Sequence, residues 1–392
     1  MQEFFECILC FASRRDSPEG TCPLRGKTKK QKQKRRIITQ KTKMSSVLLE
    51  IGISDNIAKI ITDFIGEEFE VELVPDDDDL RLDGLLPRFD CFGCIIPSFV
   101  TLSDSFEYAK SIGISTFQSM FGDSISTERQ IFSRDDILRV KTEFCAKRPR
   151  KTENASQRDA FEYPDFKCFS HLPFTFSLVG TSKRGIFKID PLKKKFHDPY
   201  AWRICKAIEY ELSITKELNG GTVIHPGTAI GTTEESIEAA VRFIDSINYP
   251  FGSKLLLENS AGEGKKFASL NNLNIIYERC KSKENIFFCL DSAHIFASGE
   301  YDISKIEEID RLYEDIQSRM GIGKIALIHL NDSKTEFGSH KDRHEFSCQG
   351  HIWKDNFFSF LYFLGKFENI PLVCETDPAL EDVRQIRRRV YD

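Results

Sequence analysis

His329, Asp342 and His344 lie in one short polar segment, 329–344, and all three are side chains that bind first-row metals. The segment follows Ile325–Ile328, an apolar run short and aliphatic enough to be a buried strand. His329 would stand at the end of that strand, and Asp342 and His344 in the loop behind it. Read alone, the segment is equally well a soluble loop with scattered His and Asp. The other strand ends decide between the two.

Five more apolar runs end in the same way. The third to eighth such runs are followed by His171, His225, Glu258, Asp291, His329 and Glu375. His294 comes three residues after Asp291. With Asp342 and His344 this makes nine ligand-type residues, including five of the eight histidines. Bringing so many carboxylates to one place would be strongly repulsive without a cation among them. A mixed His and carboxylate set favours zinc, with manganese or iron as second choices. Nine ligands exceed one tetrahedral site, so two or three metals sharing a bridging carboxylate is the expected count. Clustered metals suit phosphoryl transfer, where they activate water and neutralise charge on the attacked and departing oxygens.

These residues converge only if the elements form a barrel. The apolar runs are Cys91–Ile96, Ser115–Met120, Phe166–Ser170, Gly221–Ile224, Lys254–Leu257, Ile286–Leu290, Ile325–Ile328 and Pro371–Cys374. Between them, residues 104–112, 128–144, 199–218, 233–248 and 303–319 have helical spacing. Asn219–Gly220 reads as a helix stop, and Thr232 with Glu235 as a capping box. Eight buried strands alternating with helices predict an α/β (β/α)8 TIM barrel, whose strand ends all face one mouth. An open doubly wound sheet is the runner-up, but no GxGxxG or P-loop follows the first strand. The polar stretch 145–165 reads as a surface insertion.

At 392 residues and 40% hydrophobic, the chain is long enough for such a barrel plus an N-terminal extension. Three segments are expected: a basic arm (1–45), a small helical extension with an acidic linker (46–89), and the barrel (90–392). The arm carries Lys and Arg without an acid from Arg25 to Lys43. Such a block does not collapse, and its 27–43 portion reads as a nuclear-import signal or a nucleic-acid-binding arm. The net charge of −5 averages over opposite ends of the chain. No run of eighteen apolar residues is present and no secretory layout opens the chain, so an intracellular protein, nuclear or cytoplasmic, without membrane association is expected. The twelve cysteines are dispersed and several fall inside strands, which suggests buried reduced thiols. Cys7–Cys10, with Cys22 nearby, is a candidate small metal or redox site, whereas Cys91–Cys94 lies on a strand and reads as structural.

The motifs resemble those of the endonuclease IV family of apurinic/apyrimidinic endonucleases. The matching pieces are Val223–Ile–His–Pro–Gly–Thr228, Leu257–Glu–Asn–Ser–Ala–Gly–Glu–Gly264, Leu290–Asp–Ser–Ala–His294, His329–Leu–Asn–Asp–Ser–Lys with Asp342–Arg–His344, and Cys374–Glu–Thr376. They span roughly residues 90–380. The resemblance implies a monomeric barrel with a trinuclear zinc centre, manganese being an alternative at the outer site. It would act on duplex DNA, cutting 5′ to an abasic site and leaving a 3′-hydroxyl. One zinc would be held by His171, His225 and Glu258; a second by Glu258, Asp291, His329 and Glu375; the third by His294, Asp342 and His344. Glu258 and Glu375 would be the catalytic carboxylates. A metal-dependent sugar isomerase or epimerase on the same barrel is the alternative.

Two departures from the family pattern stand out. No His stands soon after Gly93, where the chain reads Phe92–Gly–Cys–Ile–Ile–Pro97, and Phe174 replaces the Tyr common three residues after His171. Phe174 keeps the ring that would fill the space beside a flipped abasic nucleotide. Lys334 and Arg343 are expected phosphate contacts, with Arg129, Lys183 and Arg184 as weaker ones.

Overall fold

The computed structural model describes residues 92–146 and 166–391. The basic block, the 46–89 segment, the Cys7–Cys10 pair with Cys22, Cys91 and residues 147–165 of the expected insertion lie outside the described residues.

Eight parallel strands close into a barrel: β1 (Phe92–Ile95), β2 (Thr116–Ser119), β3 (Lys167–His171), β4 (Thr222–Ile224), β5 (Leu255–Glu258), β6 (Ile286–Asp291), β7 (Ile325–His329) and β8 (Leu372–Cys374). Each pairs with its sequence neighbours, and β8 closes on β1 through Phe92, Gly93 and Cys94 against Leu372, Val373 and Cys374. Gly93 has a steric reason: a Cβ there would stand 1.7 Å from the Thr116 carbonyl oxygen of β2.

The barrel interior is layered, as strand parity requires. Phe169, Val223, Leu256, Cys289, Leu327 and Val373, one from each of β3 to β8, form a buried apolar layer. Two residues further along each strand come His171, His225, Glu258, Asp291, His329 and Glu375. A period of two keeps both sets on the inward face, so the apolar layer is the floor on which the polar layer stands.

The connecting helices are α1 (Leu102–Ser111), α2 (Arg134–Val140), α3 (Pro199–Thr215), α4 (Thr233–Ile244), α5 (Leu270–Arg279), α6 (Ser292–Ser298), α7 (Ile306–Arg319), α8 (Phe357–Lys366) and α9 (Ala379–Tyr391). The Thr232–Glu235 capping box forms in full, and Asn219 takes the left-handed conformation expected of a stop. Asp198 caps α3, with Pro199 at its first position. The expected helix 128–144 starts later, at Arg134, because Ser133 caps Asp136 N–H and Arg129 is drawn into the core. The chain between β3 and α3 adds two short antiparallel ladders, Gly180–Thr181 with Gly185–Ile186 and Ile189–Asp190 with Lys195–Phe196. Among the described residues no helix is long and apolar enough to cross a membrane. Their eight cysteines are all buried.

Candidate metal centre at the barrel mouth

The strand ends bring all nine expected ligand residues together. Ligand atoms of His171, His225 and Glu258 form one group within 4.8 Å of one another. Those of Glu258, Asp291, His329 and Glu375 form a second, and those of Asp291, His294 and His344 a third. Asp342 joins the third, its Oδ1 lying 3.0 Å from His294 Nε2 and 3.3 Å from His344 Nε2. Glu258 belongs to both the first and the second group, the sharing that the family resemblance implies for it. Asp291 is also shared, which the strand-end pattern alone did not reveal.

Local structure fixes how each side chain presents itself. Asp291 ends β6 and caps α6: its Oδ1 accepts the His294 N–H at 2.8 Å, leaving Oδ2 for the mouth. Asn259 holds the same turn, its Oδ1 accepting Asp291 N–H at 2.7 Å and its Nδ2 donating to Asp291 O at 3.1 Å. Asn331 donates to Asp291 Oδ2 at 2.7 Å and accepts Glu375 N–H at 3.0 Å. Gln118, on β2, donates to Glu375 Oε1 at 2.7 Å and accepts from His329 Nε2 at 2.9 Å. Sequence reading missed Gln118, Asn259 and Asn331. For Gln118 a signal existed: a polar residue inside the apolar run 115–120, followed by only two more residues of it.

These partners settle three imidazole tautomers. A carbonyl oxygen can only accept, so His171 Nδ1–H donates to Leu172 O at 2.7 Å and His294 Nδ1–H to Asn259 O at 3.0 Å. Glu375 can only accept from Gln118 Nε2, so the amide oxygen faces His329 and His329 Nε2 is the donor. The opposite nitrogens then aim bare lone pairs at carboxylate oxygens. His171 Nε2 is 3.1 Å from Glu258 Oε2, and His329 Nδ1 is 3.2 Å from Glu258 Oε1 and 3.1 Å from Glu375 Oε2. His294 Nε2 and His344 Nε2 are buried without a hydrogen-bonded partner, although carboxylate oxygens lie close by. Lone pairs converge in this way only on a shared cation, either a second proton or a metal ion. The donor set of imidazole nitrogens and carboxylate oxygens fits zinc, manganese or iron.

The electrostatics agree. Burial works to raise the Glu258 pKa, yet His225 and His329 hold it well below the usual carboxylate range. Glu375, similarly opposed by burial, is held down to about 2 by His329. Burial lowers His294, but Asp291, Asp342 and Glu258 lift it to about 10. His225 is the exception: burial pushes it down to about 4 although Glu258 pulls the other way.

The expected phosphate contacts fare unevenly. Phe174 is 62% exposed in the loop after β3, and Lys334 is exposed. Arg343 is instead held by Glu263, through Nη1 to Oε2 at 3.0 Å and Nη2 to Oε1 at 3.2 Å. Arg129 does not face a substrate: its side chain is buried against Glu211 at 3.3 Å, where it anchors its own loop. Arg184 pairs with Asp198 at 3.4 Å, and Lys183 is exposed.

Comparison with known proteins fits this geometry. A family model described as "Xylose isomerase-like TIM barrel" matches residues 168–391. The chain is 35% identical over 155 residues to "Probable endonuclease 4" of Haloarcula marismortui, covering 39% of this chain and 54% of that protein. It thus spans little more than half the length of that relative. It is 27% identical over 299 residues to the Clostridium botulinum protein of the same name, covering 75% of this chain and 95% of the relative. Among solved structures, endonuclease IV from Thermus thermophilus superposes with a TM-score of 0.57 at 19% identity, covering 76% of this chain and 97% of that one, a likeness of fold. With the motifs in order along the closed barrel, the chain belongs to the endonuclease IV family of xylose isomerase-like TIM barrels.

Proposed function

We propose that the protein is a DNA repair endonuclease that hydrolyses the phosphodiester 5′ to abasic sites in duplex DNA, leaving a 3′-hydroxyl, with three zinc ions per chain. The observation that carries this reading is the set of three ligand groups in one mouth, linked through the shared carboxylates Glu258 and Asp291. Two or more metals joined by bridging carboxylates suit in-line displacement at phosphorus, because attacking and departing oxygens both need charge compensation. The name carried by the relatives, "Probable endonuclease 4", supports the same chemistry.

His171 and His225 with Glu258 would hold one ion, and Glu258, Asp291, His329 and Glu375 the second. His294, Asp342 and His344 would hold the third, with manganese an alternative at this outer position. When bound, the ions supply positive charge that favours deprotonation of the attacking water and offsets charge on the phosphate oxygens. Glu375, held by hydrogen bonds from Gln118 and Asn331, would accept a hydrogen bond from that water and orient it. Phe174 presents an exposed ring at the mouth, suited to filling the space beside a sugar without its base. Lys334 would meet a flanking phosphate, and Arg343 would do so on leaving Glu263.

The test is incision of a duplex carrying a tetrahydrofuran abasic analogue, by the full chain loaded with zinc and without added magnesium. Glu258→Ala should lower kcat/KM by at least about 100-fold, since it removes a ligand from two groups at once. Undiminished cutting by that variant would refute the assignment. A sugar isomerase or epimerase on this barrel is the competing reading, and about three metals per chain, bound without either isomerisation or epimerisation of sugars, would exclude it.

A further inference from the structure

The third ligand group differs from the other two in how it is built. His171, His225, Glu258, Asp291, His329 and Glu375 stand on or directly after barrel strands, but Asp342 comes from the long loop after β7. A loop residue needs something to hold it within bonding distance of His294 and His344. The segment 259–268, between β5 and α5, supplies the hold.

Glu263 lies at its centre. Its Oε2 accepts the Asp342 backbone N–H at 3.0 Å and Arg343 Nη1 at 3.0 Å, and its Oε1 accepts Arg343 Nη2 at 3.2 Å. One carboxylate therefore grips the main chain at the ligand and the side chain of the next residue. Lys266, three positions on, donates from Nζ to Asp342 Oδ2 at 3.2 Å. That leaves Oδ1 as the oxygen facing His294 at 3.0 Å and His344 at 3.3 Å. His340 closes the contact from the other loop, with Nδ1 3.2 Å from Ala261 O. Gly262 and Gly264 both take positive φ, +89° and +63°, which lets the chain turn Glu263 outward and Lys266 back toward Asp342.

We propose that Glu263 and Lys266 are positioning residues of the outer metal group, clasping the β7 loop so that Asp342 offers one fixed oxygen to the ion shared with His294 and His344. This rests on the three-metal reading above and deepens it. Neither residue belongs to the nine ligands. Glu263 touches Asp342 and Arg343 and none of the inner ligands, so its effect falls on the outer ion, whereas the Lys266 charge also acts on His225. Partners that orient a metal ligand typically change affinity by about 10- to 100-fold.

The test uses the full chain, stripped with chelator and titrated with zinc alone against a colorimetric competitor, then with cobalt to follow the visible bands of each step. Glu263→Ala should weaken one of the three ions by about 10- to 100-fold and leave the other two unchanged. Glu263→Gln, which keeps one acceptor for Asp342 N–H but loses the paired grip on Arg343, should fall between Glu263→Ala and the parent. Lys266→Met should broaden or shift the cobalt bands of the same ion most, because Asp342 becomes free to use either oxygen, with a smaller change at the ion held by His225. Unchanged affinities in Glu263→Ala would overturn the proposal, as would equal weakening of all three ions. These measurements need no DNA. A parent protein that binds three ions but fails to cut the abasic duplex would sink the proposed function and leave the clasp standing, whereas a parent that binds fewer than three would sink the clasp.

Discussion

Gln118 shows how much a residue outside the ligand set can govern. It joins β2, which contributes no expected ligand, to His329 and Glu375 at once, and its amide orientation decides that His329 carries its proton on Nε2, leaving Nδ1 bare toward the carboxylates. Gln118→Leu keeps roughly the volume and removes both hydrogen bonds. Metal affinity should fall by about 10- to 100-fold, most of it in the ion held by Glu258, Asp291, His329 and Glu375. Competition with a chelator measures this, and parent-like affinity would mean that the amide merely fills space. The neighbouring Asn331 is a second bridge of this kind, between Asp291 and Glu375. The candidate ligands were legible in the sequence because each strand-borne one sits at the end of an apolar run. Their partners were not, because the contacts between Gln118 and His329 or between Asn331 and Asp291 join residues far apart in the chain.

Among the elements, the loop between β2 and α2 is anchored by a buried charge. Arg129 donates to the carbonyls of Asp123 and Ser126 and pairs with Glu211 of α3 at 3.3 Å. Burial nonetheless pushes Glu211 up to about 7, against the pull of Ser170 and Arg129. Its folded pKa lies above the unfolded value, so the charged carboxylate is a burden above pH 7, relieved as pH falls from about 7 toward 4.5. Arg129→Met would strand that charge, and a stranded buried partner costs about 3–5 kcal/mol. Denaturant unfolding should show a larger loss at pH 8 than at pH 6, where Glu211 takes a proton. An equal loss at both pH values would show that the pair's contribution is packing. This element was partly legible. The helical period of 128–144 was visible, yet the competition of Arg129 for a buried partner set the true start at Arg134. Helix α8 was missed for the opposite reason: in Phe357–Lys366 apolar residues occur on nearly every face, so no stripe stands out.

The whole molecule should respond to metal removal through its histidines. In chelated protein, His294 is lifted to about 10, so its stabilising contribution is complete below pH 6.5 and is lost as pH rises toward 10. His225, pushed down to about 4, works on the other side: the unfolded chain binds that proton more readily, and stability falls as pH drops from 6.5 to 4. Glu375, held near 2, adds a loss as pH falls from 4.5 toward 2. Thermal unfolding with chelator should therefore peak at about pH 6.5. With zinc the optimum should move to higher pH, because a metal ion needs His294 without its second proton. Identical pH profiles with and without zinc would contradict the linkage.

Local rules were enough to specify the barrel and to pick out the nine candidate ligand residues that it brings together. Strand parity puts every second residue on the inward face, and a parallel strand in a barrel delivers its end to the mouth. The chain also carried the motifs that mark the family. That Asp291 is shared beside Glu258, which tautomers the histidines adopt, and that Arg343 rests on Glu263 and Arg129 inside the core emerged only in three dimensions. Those outcomes depend on side chains from different strands competing for the same few oxygens. Such a competition is settled by distances of about 3 Å across the barrel, which no spacing along the chain encodes.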